Sequence, residues 1–484
     1  MQKKRYLELK NYILNKFIRI KGVVSVNLVG SFWENPKSSN YRDIDIVVIL
    51  DKLSLKKFQK CKNLIASINT KKLGLSDYKI KINTSFGPLK FDTKNQLIFH
   101  LMVYDLKNHF NHVVKSPFTC FDWERTKSYK GKSLGNLLSA SKIQFQDFFS
   151  SRRGADEYIK DLSKNIISFR EYSFVNKKVI LRKKNFKIKS FQKKEFYYHI
   201  AKNLIFNYYK LLKQKNIKPN KNQYSSVLRK IYKKKNQSII KKYHLIFKAK
   251  KYNLNLKANI FSIWVKEFVN VFQKYLKNEK KKCKKIIFLR HAKTNLNDNS
   301  FLGIGRDPEI IINKDLKRKI KEIKKENVSL IFSSALRRSV QTARLINPEK
   351  IILDNDLNEK NYGSAEGMSY KTLIKKFSYI KQAWNKRKDP KFPEGESDQD
   401  VYLRIEKFKK NLLKFLSKNN SKQSIAVLTH NVVLRCLIGS EFKIPLSEWH
   451  KIQINHLEKI EFIYYQKKLL PNINREYFLG RIFR

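Results

Sequence analysis

The apolar run Ile286-Ile287-Phe288-Leu289 ends on Arg290-His291. A run of that length, bounded by polar residues, predicts a buried parallel strand, and open α/β sheets present ligand-binding groups at the carboxyl ends of their strands. A guanidinium and an imidazole at such an edge suit an anion, since one fixes negative charge and the other offers a nitrogen lone pair near neutral pH. Three further groups follow: Arg338 where an apolar strand gives way to a helix, Glu359 beyond it, and His430 at the close of the strand that starts at Ile425. A neutral imidazole can attack phosphorus in line, guanidinium forks can hold the equatorial oxygens, and a carboxyl can protonate the leaving oxygen. Near the amino terminus a second set stands in Asp43-Ile44-Asp45, which opens a strand running to Leu50. Alternation puts both carboxylates on one face, where they repel each other unless a cation holds them, and a divalent metal is the natural partner.

Composition bounds the class of protein that can carry these groups. At 484 residues, with 42% hydrophobic residues, 24 Tyr and 33 Phe, the chain has material for several packed cores and is not a disordered polymer. The net charge of +65, from 105 Lys+Arg against 40 Asp+Glu, attracts phosphate in any form: nucleotides, nucleic acid, phosphorylated small molecules or an anionic membrane surface. The cysteines Cys61, Cys120, Cys283 and Cys436 are isolated, which argues for a reducing compartment and against a disulfide framework or structural zinc. No apolar run approaches the ~18 residues of a membrane span, and Met1-Gln2-Lys3-Lys4-Arg5-Tyr6 lacks the apolar core of a signal peptide, so a cytoplasmic protein is expected.

Patterning divides the chain into three. Residues 1–150 combine a helical stripe from Tyr6 to Ile18 with strands at Val23–Val29, Asp43–Leu50 and Leu97–Asp105, an α+β domain with a mixed sheet. Strand signals fade after Gly135, and residues 151–280 predict a helical accessory domain, with faces between Lys193 and Gln214, from about 224 to 250, and from Asn259 to Leu276. Its aromatics, interleaved with lysines, read as a bundle core with the lysines facing water. The lysine-rich 277–285 breaks the apolar pattern and marks a boundary, after which residues 284–484 form an α/β domain.

Gly30-Ser31 after one strand and Asp43-x-Asp45 on the next resemble the nucleotidyltransferase superfamily that includes DNA polymerase beta. The resemblance implies that Gly30 and Ser31 hold the phosphates of a nucleoside triphosphate and that Asp43 and Asp45 bind Mg²⁺ for attack at the α-phosphorus. The family also has a third carboxylate on a neighbouring strand. Asp105 is the candidate for this metal ligand, Asp92 lies before a turn, and the central polar position of the strand is His100.

The later domain carries four ordered motifs: Arg290-His291 to Asn297 with Gly303 and Arg306-Asp307; Phe332-Ser333-Ser334 to Ala343; Leu357 to Gly363 with Glu366-Gly367; and Leu428-Thr429-His430-Asn431. Together they resemble the histidine phosphatase, or phosphoglycerate-mutase-like, superfamily, which implies a three-layer α/β domain. By that resemblance His291 is the nucleophile, Arg290, Arg338 and His430 hold the phosphoryl group, Glu359 is the proton donor, Asn297 shapes the substrate pocket, and no cofactor is needed. The family's usual glycine after the histidine is Ala292 here. The short segment Trp384–Ser397 resembles the phosphatase branch, so hydrolysis of a phosphomonoester is favoured over a phosphomutase. A bifunctional enzyme is expected, with a nucleic-acid-binding protein built on a degenerate nucleotidyltransferase module as the alternative.

Overall fold

The computed structural model describes residues 3–34, 43–72, 79–87, 96–140, 142–151, 157–176, 178–217, 219–232, 237–252, 258–296, 300–419 and 423–483. The chain divides into two compact units, Met1–Lys277 and Asn278–Arg484. In the first, strands β1 (Val23–Val29), β2 (Asp43–Leu50), β3 (Lys79–Asn83), β4 (Gln96–Asp105) and β5 (Tyr129–Gly131) form a sheet in the order β3-β4-β2-β1-β5. It is mixed: β1 runs antiparallel to β2 and β5, while β4 runs parallel to β2 and β3. Ile44, Ile46, Val48 and Leu50 face a core shared with Phe99, Leu101 and Val103, covered by the helices Lys3–Ile18 and Leu55–Ala66. Val47 and Ile49 face Met102, Tyr104 and Phe86 on the other side. The strand period of two therefore puts Asp43 and Asp45 together on that second face.

Past this sheet the structure departs from the sequence expectation. Strands β6 (Ile166–Val175) and β7 (Lys178–Lys187) pair as an antiparallel ribbon within the stretch read as helical. The ribbon leaves little apolar signal because only part of one face is covered, by Tyr172, Phe174 and Val179 against the first core. All of β7 except Val179 is exposed, and five of its ten residues, Lys178, Arg182, Lys183, Lys184 and Lys187, are basic. Helices Ser190–Lys213, Lys221–Ile231, Gln237–Tyr252 and Ala258–Lys282 follow. The single helix expected over 224–250 is thus two. Their aromatics form a core: the Tyr208 and Phe272 rings meet edge-on at 5.8 Å, and Tyr243 lies 5.0 Å from Phe268. The lysine-rich boundary is itself helical as far as Lys282, since lysine and glutamate are good helix formers and lysines in the last turn complement its negative end.

The second unit contains β8 (Lys284–Arg290), β9 (Val328–Ser333), β10 (Ile351–Leu353), β11 (Ser424–Thr429), β12 (Lys459–Tyr465) and β13 (Lys468–Pro471), ordered β10-β9-β11-β8-β12-β13. The four strands from β10 to β8 are parallel, and β12 and β13 close the edge antiparallel. Helices Lys314–Lys324 and Arg337–Ile346 cover one face through Leu316, Ile320, Ile323, Ala343 and Ile346. On the other lies the helix Asp398–Lys418, whose Phe408 ring stands 6.5 Å from Phe288 and 5.7 Å from Phe332. Ser397 and Asp400 cap its start reciprocally, which fixes where that helix begins relative to the sheet. Among the described residues no helix is long and apolar enough to cross a membrane.

Phe408 is 1% exposed and fills the space between two strands that end at the candidate site. Phe408→Ala is expected to cost about 3–5 kcal/mol, read as faster amide exchange throughout β8 and β9; unchanged protection of those strands would show that this layer does not hold them.

Candidate active site

Backbone register brings the later motifs together. In the parallel ladder Thr429 pairs with Arg290 and Leu428 with Ser333, and the His291 amide continues the ladder by donating to the Thr429 carbonyl at 3.0 Å. The three central strands therefore end level with one another and deliver Arg290-His291, Ser333-Ser334 and Thr429-His430 to one edge. The imidazoles of His291 and His430 lie 5.0 Å apart, centre to centre. His291 is 3% exposed, Glu359 6%, and Arg338 and His430 not at all.

Each side chain is held in a definite state. His291 Nδ1 is 2.7 Å from the Ala292 carbonyl, which can only accept, so Nδ1 carries the proton and Nε2 keeps its lone pair. Burial, then the charges of Arg338 and Arg290, push this imidazole well below the ordinary histidine range and keep it neutral. Ala292 has no left-handed backbone angle, so the alanine in place of glycine costs no strain. Its amide donates to Thr342 Oγ1 at 3.0 Å, and that hydroxyl donates to the Arg338 carbonyl at 2.7 Å, which ties the His291 segment to the Arg338 helix. For His430, Nε2 lies 2.8 Å from Ser334 Oγ, whose own proton goes to Asn358 Oδ1 at 2.8 Å. His430 Nε2 is therefore the donor, and Nδ1 is left buried without a protein partner. Burial and Arg338 push this ring down as well.

Arg338 is anchored through Asp307 Oδ1 at 3.1 Å and the carbonyls of Arg306 and Gly303, both at 3.0 Å, while its Nε has no protein partner. Arg290 donates from Nη1 to the Ile454 carbonyl at 2.8 Å, and its Nε is likewise buried and unpartnered. Burial draws the Arg290 guanidinium down to about 10, still charged at neutral pH. Glu359 Oε1 accepts from the amides of Lys360 at 3.0 Å and Val432 at 3.2 Å. Arg404 fixes this turn through the carbonyls of Asp356, Asn358 and Glu359 at 2.8, 2.7 and 3.1 Å.

Sequence reasoning identified five of these groups and missed their supports. His456 had no signal at all: it lies in an irregular segment, yet its ring stands 5.3 Å from that of His291 and its Nδ1 is 2.9 Å from the His291 carbonyl. Asp307 and Ser334 were visible in the motifs, but their partners were not. Asn297, the expected pocket residue, lies outside the described residues.

In the first unit Gly30 and Asp45 do meet. Gly30 has φ +86° and a Cβ there would stand 2.3 Å from Asp45 Oδ2, so only glycine fits this turn. Exposed Ser31 opens a four-residue helix, Ser31–Glu34, and Trp33 Nε1 donates to the Asp45 carbonyl at 3.0 Å. Asp105 is a correction. It pairs in register with Leu50, not with the acidic pair, and its carboxylate caps the helix Leu106–Lys115 by accepting from the Asn108 amide at 2.9 Å. Five strand residues, roughly 16 Å, separate it from the level of Asp45. The residue in register with Asp45 is His100, whose Nδ1 is 3.0 Å from Asp45 Oδ1 and whose Nε2 is 2.8 Å from the Ser85 carbonyl. Burial opposes charge on His100, but the hydrogen bond to Asp45 and the charges of Asp45 and Asp43 outweigh it and hold the ring above the ordinary histidine value. Asp92 lies outside the described residues. Tested against Mg²⁺, this set does not fit: among the described residues no group of three His, Cys, Asp or Glu has a metal-holding arrangement, and a ring nitrogen takes the Asp45 oxygen.

Residues 286–470 match the histidine phosphatase superfamily (branch 1). The chain is 28% identical over 195 residues to fructose-2,6-bisphosphatase of Saccharomyces cerevisiae, covering 39% of this chain and 41% of the yeast protein. It is 27% identical over 176 residues to phosphoserine phosphatase 1 of Hydrogenobacter thermophilus, covering 34% of this chain and 79% of that one. The chain thus spans less than half the length of the yeast relative. Among solved structures, a mycobacterial glucosyl-3-phosphoglycerate phosphatase aligns with 40% of this chain and 98% of its own at 19% identity and a TM-score of 0.35. The alpha-ribazole phosphatase of Shigella flexneri aligns with 39% and 95% at 21% identity and a TM-score of 0.33. The family match begins inside β8 and ends inside β13, so the six-stranded sheet and the helices covering it are a histidine phosphatase superfamily domain.

Proposed function

We propose that the carboxyl-terminal unit hydrolyses a phosphomonoester through a phosphohistidine at His291. The observation that carries this reading is the ring of buried nitrogens without protein partners, Arg290 Nε, Arg338 Nε and His430 Nδ1, around an imidazole whose Nε2 lone pair is available. Buried polar atoms without partners call for a ligand that satisfies them, and phosphoryl oxygens do so for all three. Nε2 of His291 attacks phosphorus as the ester oxygen departs, and Glu359 gives that oxygen its proton. The phosphoryl dianion favours a second proton on His430, which then donates from Nδ1. Water attacks the phosphohistidine from the vacated side, Glu359 takes the water's proton, and inorganic phosphate leaves with His291 neutral again. Both curated relatives are named as phosphatases, which favours water over a second organic hydroxyl and so hydrolysis over a phosphomutase. The substrate class is a small anionic phosphate ester.

For the amino-terminal unit we propose a surface that binds single-stranded nucleic acid. The supporting observation is the β6–β7 ribbon, where Lys178, Arg182, Lys183, Lys184 and Lys187 share one exposed strand with no acid, beside Ile180 and Phe186 at 43% and 38% exposure. Cations at that spacing follow a phosphate backbone, and exposed apolar rings and chains receive bases.

His291→Ala is expected to lower hydrolysis of p-nitrophenyl phosphate about 10³-fold or more and to abolish acid-labile phosphate on the protein; turnover at the parental rate would refute the assignment. Because His291 titrates well below the ordinary value, the nucleophile stays deprotonated as pH falls, and kcat/KM is expected not to halve between pH 7.5 and 6.5 from its protonation. A half-maximal point at 6.5 or above, lost in no other variant, overturns that. On the ribbon, the triple change Arg182→Ser, Lys183→Ser, Lys187→Ser is expected to weaken binding of a labelled RNA 20-mer and flatten its log K against log salt slope by about 2; an unaltered slope argues against this surface.

A further inference from the structure

The amino-terminal sheet has an acidic pair with a histidine where another carboxylate would complete a metal site. Three observations converge. The parallel register sets His100 of β4 level with Asp45 of β2 and on the same face. His100 Nδ1 lies 3.0 Å from Asp45 Oδ1, the oxygen a divalent ion would need. The alternative carboxylate on β4, Asp105, is engaged at the far end of the strand with the amides of Asn108 at 2.9 Å and Leu53 at 3.3 Å.

We propose that His100 closes the acidic pair from within the protein, taking the place and the charge of a catalytic metal, so that the amino-terminal unit is a nucleotidyltransferase-like fold without metal-dependent transfer chemistry. The ring's contacts decide its role. Nε2 faces the Ser85 carbonyl at 2.8 Å and Nδ1 faces a carboxylate, and both of those oxygens are acceptors. Each ring nitrogen therefore donates, the ring is cationic, and no lone pair is left to act as a base toward an attacking hydroxyl. Two carboxylates and one imidazolium sum to a single negative charge, where three carboxylates would supply three. Mg²⁺ is commonly held by one or two carboxylates together with substrate phosphates; here the ring of His100 already takes one oxygen of Asp45, and its positive charge lowers the attraction the pair would exert on a divalent ion. Gly30 reinforces the closure: its backbone abuts Asp45 Oδ2 so closely that a methyl group would stand 2.3 Å away, and Trp33 Nε1 holds the Asp45 carbonyl at 3.0 Å. Asp45 is thus constrained on the turn side and on the His100 side at once.

The test uses Mn²⁺ as probe on the full chain, with free ion measured by electron paramagnetic resonance. The parent protein is expected to show no micromolar site that Asp45→Asn removes. His100→Asp, which supplies the third carboxylate in register, is expected to gain one site at least about tenfold tighter than any in the parent, and the double variant His100→Asp, Asp45→Asn to lose it. A micromolar site in the parent that Asp45→Asn abolishes overturns the proposal, as does a folded His100→Asp protein with no gain. Should His100→Asp fail to fold, nitrogen NMR of the parent decides: two protonated nitrogens on His100 and no selective broadening of its signals by Mn²⁺ are expected, and a single protonated nitrogen or strong broadening overturns it.

Discussion

The parallel pairing of β8 with β11 is the constraint on which the carboxyl-terminal site depends. With Thr429 opposite Arg290, the ladder places the residues that follow, His291 and His430, side by side at the sheet edge. A slip of one residue in that register would turn every buried side chain of β11 to the opposite face, so the packing of Ala426 and Leu428 on one side holds the chemistry on the edge. The hydrophobic core and the histidine-bearing edge are thus one specification.

Holding two guanidiniums and two imidazoles in a buried space has an electrostatic consequence. Burial, with the charge of Arg338 added to it, keeps both imidazoles neutral, which preserves the His291 lone pair. Asp307 and Glu359 temper the repulsion. Around them sits a shell of backbone carbonyls from Gly303, Arg306 and Ile454, which orient the guanidiniums and leave Nε of each free of protein contacts.

The first unit resolves a comparable problem in another way. Asp43 and Asp45 share a face of a strand with a largely apolar interior, and the sheet answers with a histidine from the adjacent strand. That contact, 3.0 Å from His100 Nδ1 to Asp45 Oδ1, ties β4 to β2 on this face of the sheet. Strand β7 of the ribbon then concentrates positive charge at a surface that no apolar pattern reveals, because that strand is almost wholly solvated.

From sequence alone, most of the groups that gather at the carboxyl-terminal sheet edge could be named, because they occur at boundaries with a strong local signal: an apolar strand ending on a polar residue, or a strand giving way to a helix. His291, Arg290, Arg338 and His430 were legible for that reason, Glu359 only through the family resemblance, and three of the five strands of the first sheet from their apolar pattern. The supports came only with the tertiary structure. His456 lies 165 residues beyond His291 in an irregular segment, and the pairing of Asp307 with Arg338 depends on how a loop folds back over the sheet edge. Asp105 shows the same limit in reverse. It ends a strand in the same sheet as the acidic pair, so sequence order made it a plausible ligand, but strand register put it five residues too far along and set His100 at the level of Asp45. Local chemistry is written in residue type and spacing, whereas which distant groups share one cavity is decided by hydrogen-bond register between strands, and that is a property of the folded sheet.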